Sequence, residues 1–243
     1  MSEHKAVEQQ ASLQHTGRAH PRIKICGLRD RATIRAMHGL DLEAVGFVFA
    51  PSKRQVSPEQ AADLIEEVRA WPTGAMSRGA APLAVGVFVN ADLDELMHTV
   101  RTASLDVVQL HGSESPEQCA EAKLQLGVQV WKSLSIGRGT ESEALGAKER
   151  LTPYAGSVDA FLIDAPGGGS GHAFDWSVIH QYKEAAAIVG VPLYVAGGLS
   201  IDNVQALIQN YSPDGVDVSS GVETDGVKDI DKITTFVRRV LEA

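Results

Sequence analysis

Only two of the 243 residues are cysteine, Cys26 and Cys119. Two thiols make no disulfide framework, and their spacing fits no zinc motif. No apolar run approaches the roughly 18 residues that would cross a bilayer. The first twenty residues have no apolar core of the kind a secretory signal needs; they are polar and carry His4, His15 and His20. A basic surplus is missing too, because the net charge is −9. That argues against nucleic acid or an anionic membrane as partner. A small anionic substrate is still compatible, since backbone dipoles act locally. The other histidines, His38, His98, His111, His172 and His180, show no ligand-like clustering, so no metal is expected. These absences predict a cytoplasmic protein with a flexible extension at 1–20 ahead of one folded domain at 21–243.

With 44% hydrophobic and 22% charged residues, the chain can bury a sizeable core. Its length suits one α/β barrel or two small domains. From Pro21 onward, short apolar runs alternate with helix-like stretches. The strands are read at Arg22–Cys26, Ala44–Phe49, Leu83–Val89, Val107–Leu110, Val128–Leu134, Phe161–Ile163, Pro192–Ala196 and Gly215–Val218. Helices are read at Arg31–Leu40, from Pro58, at Asp92–Arg101, from Pro116, within Glu141–Leu151, from Asp175 to about Ile188, and at Ile201–Gln209 and Ile230–Leu241. Ser57-Pro58-Glu59-Gln60 and Ser115-Pro116-Glu117-Gln118 are matching helix starts, with Ser at the cap and Gln three residues on. The Gly/Ala/Ser/Pro-rich stretch Trp71–Pro82 is read as an exposed link. Short apolar strands, each followed by a helix, suit a parallel sheet covered by helices. Eight such units predict a single (β/α)8 TIM barrel, with a doubly wound open sheet as the alternative.

In such a barrel the chemistry lies at the C-terminal ends of the strands. The most informative end is 161–176. An apolar strand stops at Asp164, four glycines follow within five residues, and Asp175 caps the next helix. Glycines let backbone N–H groups close on a ligand, and a helix N-terminus behind them favours an anion. No Lys-Ser or Lys-Thr follows, so this is not a nucleotide-binding P-loop. Gly197-Gly198, with Ser200 as cap of the seventh helix, and Ser219-Ser220-Gly221 are two further small-residue loops on the same rim. Together with Gly168 and Gly169 they predict a phosphate site, although tight turns also use glycine for shape alone.

Candidates for chemistry surround that site. Cys26 ends the first strand and faces the same mouth as Asp164; a lone Cys elsewhere is more often a buried hydrophobe. Arg54, in the loop Pro51–Gln55, has the fork to clamp a substrate carboxylate, the alternative being a solvated surface arginine. Gln109 and His111 are two apart on one strand end and therefore share a side.

Lys24-Ile25-Cys26-Gly27-Leu28, Gly46-Phe47-Val48-Phe49 leading to Ser52-Lys53-Arg54, and Val108-Gln109-Leu110-His111-Gly112 resemble the phosphoribosylanthranilate isomerase family. So do Leu162-Ile163-Asp164 with Gly168-Gly169-Ser170-Gly171 and Phe174-Asp175-Trp176, then Ala196-Gly197-Gly198-Leu199 and Ser219-Ser220-Gly221-Val222-Glu223. The resemblance covers about residues 22–241, with Lys53 where many members carry Pro. It implies a cofactor-free Amadori rearrangement of N-(5-phosphoribosyl)anthranilate in tryptophan biosynthesis. Asp164 would then be the acid that opens the ribose ring, Cys26 the base that removes the C2′ proton, and Arg54 the carboxylate ligand. The partner is a small phosphosugar, and the chain would be a monomer or a homodimer.

Two kinds of rival are weighed. An indole-glycerol-phosphate synthase needs a Lys–Glu pair at strand ends; Lys24 and Lys132 lie near such ends, without a convincing Glu partner in the sequence. A pentose-phosphate epimerase needs metal-binding His and Asp pairs. A non-catalytic phosphosugar-binding protein would need the glycine loops but not Cys26 and Asp164 together.

Overall fold

The computed structural model describes residues 20–71, 81–137, 146–165 and 175–243. Within them the chain runs β1 (Arg22–Cys26), α1 (Arg31–Ala36), β2 (Ala44–Val48), α2 (Pro58–Arg69), β3 (Leu83–Phe88), α3 (Leu93–Ala103), β4 (Val107–Leu110) and α4 (Pro116–Leu126). It continues with β5 (Gln129–Ser135), α5 (Ala147–Leu151), β6 (Ala160–Asp164), α6 (Ile179–Val189), β7 (Leu193–Val195), α7 (Val204–Tyr211) and β8 (Gly215–Val218). A short antiparallel ribbon, β9 (Glu223–Thr224) with β10 (Val227–Lys228), precedes α8 (Ile230–Leu241). Strands β1 to β8 pair in parallel in chain order, and β8 closes on β1 from Arg22–Gly215 to Ile25–Val218. That last pairing makes the sheet a closed (β/α)8 TIM barrel and excludes the open one.

The strands are apolar along their length because both faces are covered. Outward residues such as Ile25, Phe47, Val108, Ile163 and Val216 join the helix stripes, among them Leu64, Val68, Val100 and Phe236, in one large cluster. Inward residues Ala44, Val85, Val107, Trp131, Ala160, Leu162, Tyr194 and Ala196 form a second, smaller one. Trp131 stacks on Tyr194 with ring centroids 4.7 Å apart, which plugs the barrel below the site. The two expected capping boxes are formed: Ser57 Oγ accepts from Gln60 N at 3.2 Å, Ser115 Oγ accepts from Gln118 N at 3.3 Å, and each Gln side chain answers.

Three helices start or stop three or more residues from where they are expected. Helix α1 ends at Ala36 rather than Leu40, just short of Gly39, whose φ of +83° breaks the helix. Asp175 does accept from Ser177 N, but it opens a 3-10 turn, Trp176–Val178, ahead of α6. Helix α7 begins at Val204, so Ser200 is not its cap. Asn203 takes over: its side chain accepts from Ser200 N and donates to the Gly198 carbonyl, both at 2.8 Å, and this locks residues 200–203 in a turn. The expectations for residues 1–19, for most of the 71–82 link, and for Gly168 and Gly169 lie outside the described residues.

Candidate active site

Period-two alternation decides which residues reach the cleft. On β1, Lys24 and Cys26 point inward while Ile23 and Ile25 meet the helices. The same rule brings Val48, Val87, Gln109, Asp164, Ala196 and Asp217 to the top of the barrel. The strand ends and loops add Arg54, His111, Gly197, Gly198, Ser219 and Ser220 around one cleft of about 890 Å³, measured out to its open mouth. Cys26 and Asp164, expected as base and acid, both line it. So do Arg54, Gln109, His111 and four of the five small residues expected at the β7 and β8 ends.

Gly221, the fifth, is not among the residues that line the cleft. A Cβ there would stand 1.8 Å from the Leu199 carbonyl oxygen, so Gly221 lets the loop after β8 press against the loop after β7. Gly197 and Gly198 have φ of +80° and +68°, which a side chain would strain. A 3-10 turn, Ser220–Val222, follows β8 at this rim.

Asp164 is buried, and its Oδ2 lies 3.4 Å from His111 Nε2. The other imidazole nitrogen, Nδ1, lies 3.1 Å from Gln109 Nε2, which also reaches Ser133 Oγ at 3.1 Å. A chain of polar contacts thus runs from β5 through β4 to the acid on β6. His111 belongs to the site by direct contact with Asp164, and Ser133 is its far anchor. Among the described residues, Asp164 Oδ1 and Gln109 Oε1 are buried without a hydrogen-bond partner. Burying a polar oxygen unpaired is costly, and such atoms in a cleft suit a ligand.

Arg54 is not a solvated arginine. Its stem crosses Gly27, where a Cβ would come within 2.5 Å of Arg54 Cδ. Its Nε and Nη2 donate to the two oxygens of Glu223 at 2.6 and 2.9 Å. Glu223 also accepts from Lys228 Nζ at 2.8 Å, and Lys228 donates to the Ser219 carbonyl at the same distance. Burial alone would push the Glu223 carboxyl up, but the hydrogen bonds and charges of Arg54 and Lys228 outweigh it and hold the group at about 2. The β9–β10 ribbon is therefore tied both to the β2 loop and to the β8 end.

Burial pushes the Cys26 thiol up; Lys24 and Lys228 oppose this, Asp217 adds to it, and the net direction is upward. Lys24 is fully buried and bonds to Asp217 Oδ1 at 3.1 Å. Neither Lys24 nor Asp217, Glu223 or Lys228 was picked out as a site residue from sequence. Lys24 carried a usable signal, since it shares the inward face of a five-residue strand with Cys26.

The lysine weighed for a synthase does have a glutamate. Lys132 Nζ lies 2.9 Å from Glu114 Oε2, and both residues are buried. The pair lies outside the cleft, because Lys132 shares the outward face of β5 with Val130 and Leu134 and also binds the Leu110 and Gly112 carbonyls. It locks the β4–α4 loop to β5.

Fold and cleft together define a (β/α)8 barrel of the enzyme type, with titratable side chains gathered at the strand ends. A family profile described as N-(5'phosphoribosyl)anthranilate (PRA) isomerase matches residues 23–239, and the chain belongs to that family. It is 42% identical over 223 residues to N-(5'-phosphoribosyl)anthranilate isomerase of Brevibacillus brevis, covering 90% of this chain and 93% of the relative. The enzyme of that name from Geobacillus thermodenitrificans is 40% identical, over 86% of this chain and 88% of its own length. Among solved structures, monomers generated from the dimeric enzyme of Thermotoga maritima superpose with a TM-score of 0.73 at 32% identity, covering 92% of this chain and all of theirs. A phosphoribosyl anthranilate isomerase in complex with reduced 1-(o-carboxyphenylamino)-1-deoxyribulose 5-phosphate gives 0.70 at 30% identity, over the same shares.

Proposed function

We propose that the chain isomerises N-(5′-phosphoribosyl)anthranilate to 1-(2-carboxyphenylamino)-1-deoxyribulose 5-phosphate in tryptophan biosynthesis, with Asp164 as acid and Cys26 as base. The observation that carries the assignment is that both residues, from the non-adjacent strands β1 and β6, line one cleft with Arg54 and the small-residue loops. Asp164 gives its proton to the ribose ring oxygen as the C1′–O bond breaks, and the anilino nitrogen's lone pair forms the C1′ iminium. The iminium acidifies the C2′–H bond. Cys26, as thiolate, takes that proton, and the bond's electrons flow to the iminium to form the enolamine, which tautomerises to the ketone. Every step is a proton transfer or a heterolysis, so the chemistry requires neither metal nor cofactor. In this reading phosphate binds against the Gly197-Gly198 and Ser219-Ser220-Gly221 backbone; Gly168 and Gly169, expected to join them, lie outside the described residues. Arg54 receives the anthranilate carboxylate on the edge of its guanidinium away from Glu223. The reading carries with it a cytoplasmic enzyme, working as a monomer or a homodimer.

The test is turnover, followed as loss of anthranilate fluorescence. Cys26→Ala and Asp164→Asn should each stay folded and lose about 10²–10⁴-fold in kcat. If both folded variants keep near-wild-type turnover, the acid–base assignment is wrong.

A further inference from the structure

Two opposite charges are buried under the cleft beside Cys26, and the reaction as written uses neither. Lys24 is fully buried and Asp217 nearly so, with 3.1 Å between Nζ and Oδ1. Burial would pull the Lys24 ammonium down, but Asp217, bonded to it, and the neighbouring Cys26 hold it above its ordinary value. The room for this contact comes from the next strand. A Cβ on Gly46 would stand 2.7 Å from Cys26 Sγ and 3.2 Å from Lys24 Nζ. The sulfur and the ammonium therefore both sit over Gly46, within about 6 Å of each other, the range in which a cation favours a neighbouring anion.

Other titratable and charged groups stand around the same cleft. Lys228 approaches from β10, but it is engaged by Glu223 and by the Ser219 carbonyl. Arg54, from the β2 loop, is engaged by Glu223 as well. Asp164 on β6 and His111 beyond β4 line the far wall. Lys24 differs from these in being buried on the strand that carries Cys26 and in sharing the space over Gly46 with its sulfur.

We propose that Lys24 is the positioning residue that holds negative charge on the Cys26 sulfur, and that Asp217 sets how much of the Lys24 charge the sulfur feels. The inference rests on Cys26 as the base of the proposed reaction. In that step the C2′–H bond breaks, an S–H bond forms, and the electron pair goes to the iminium. Lys24 touches no substrate atom; it keeps the sulfur able to accept the proton in a buried site.

The test measures the sulfur without turnover. Alkylation of Cys26 by iodoacetamide is followed against pH, with the modified peptide identified by mass. Cys119 is fully buried and serves as a marker of unfolding. Lys24→Met should raise the alkylation midpoint by about one pH unit or more. Asp217→Asn should lower it. A purely structural effect would move both midpoints the same way. Removing one partner of a buried pair can unfold a protein, whereas removing both is often tolerated. If Lys24→Met exposes Cys119, the comparison therefore moves to Asp217→Asn against the double variant Lys24→Met with Asp217→Asn, which should again show the higher midpoint without Lys24. A midpoint that does not rise on loss of Lys24 in the folded background, or one that rises in Asp217→Asn, overturns the proposal. Failure of the base assignment is seen separately, as turnover retained in Cys26→Ala with the alkylation results standing.

Discussion

Glu223 holds Arg54 and Lys228 by hydrogen bonds, with Lys53 a further 3.8 Å ion-pair partner, and the position of Arg54 depends on it. The guanidinium is fixed in plane by two parallel bonds, so its free edge is presented to the cleft without a search through rotamers. Glu223→Gln keeps the shape but gives Arg54 an amide, with one donor facing another. We expect KM for phosphoribosylanthranilate to rise roughly tenfold, the size of a lost charged hydrogen bond, with kcat changing less. Steady-state kinetics check this; an unchanged KM would mean that Arg54 orients without Glu223. The place of Arg54 beside the cleft was legible because it sits in a strand-end loop. Its partner was not, since Glu223 lies 169 positions further along the chain and nothing local marks the pair. Cys26 and Asp164 were legible because each ends a short apolar run, where the sequence shows both the strand and the side that must face the mouth.

Short-range grammar governs the elements, and its successes and errors have the same source. Ser57 and Ser115 were readable as caps because each box closes within four residues. Ser57→Ala and Ser115→Ala should each cost about 1 kcal/mol in denaturant unfolding. The two sites are on different helices, so the losses should add. Ser200 was misread for the complementary reason. It is a good cap in isolation, but Asn203 bonds both to Ser200 N and to the Gly198 carbonyl, and the helix waits for that turn to finish. Gly221 carries a constraint that no local pattern displays. Its sequence context suggests a phosphate loop, whereas its closest constraint is the Leu199 carbonyl. Gly221→Ala must push the β7 and β8 loops apart. We expect kcat/KM to fall ~10²-fold, as an ångström of misplacement costs. Competition by inorganic phosphate should weaken in parallel. Unchanged phosphate inhibition in that variant would show that the two loops do not share the anion.

Across the whole molecule, the ribbon and its ion cluster tie the last strand to the second loop, and that tie is sensitive to acid. The Glu223 carboxyl is held at about 2 against an ordinary 4.5, a depressed value. Its contribution to stability is therefore complete above pH 4.5 and is lost as pH falls toward 2. The contribution at neutral pH is on the order of 2–3 kcal/mol. Urea unfolding at a series of pH values should show wild type and Glu223→Gln converging across that window. A gap that stays constant down to pH 2 would show that the carboxylate is not what stabilises the tie.

The sequence by itself determined the alternation of strand and helix, the inward face of each strand, the two capping boxes and the strand ends where Cys26, Asp164, Gln109 and His111 stand. All of these follow from periodicity and from contacts within a few residues, which a linear chain displays directly. Barrel closure, the Asp164–His111–Gln109–Ser133 chain, the Lys24–Asp217 pair under Cys26 and the Arg54–Glu223–Lys228 cluster were decided only by the tertiary structure. Each joins residues from different strands or loops, and the burial that gives these charges their strength exists only once β8 has paired with β1.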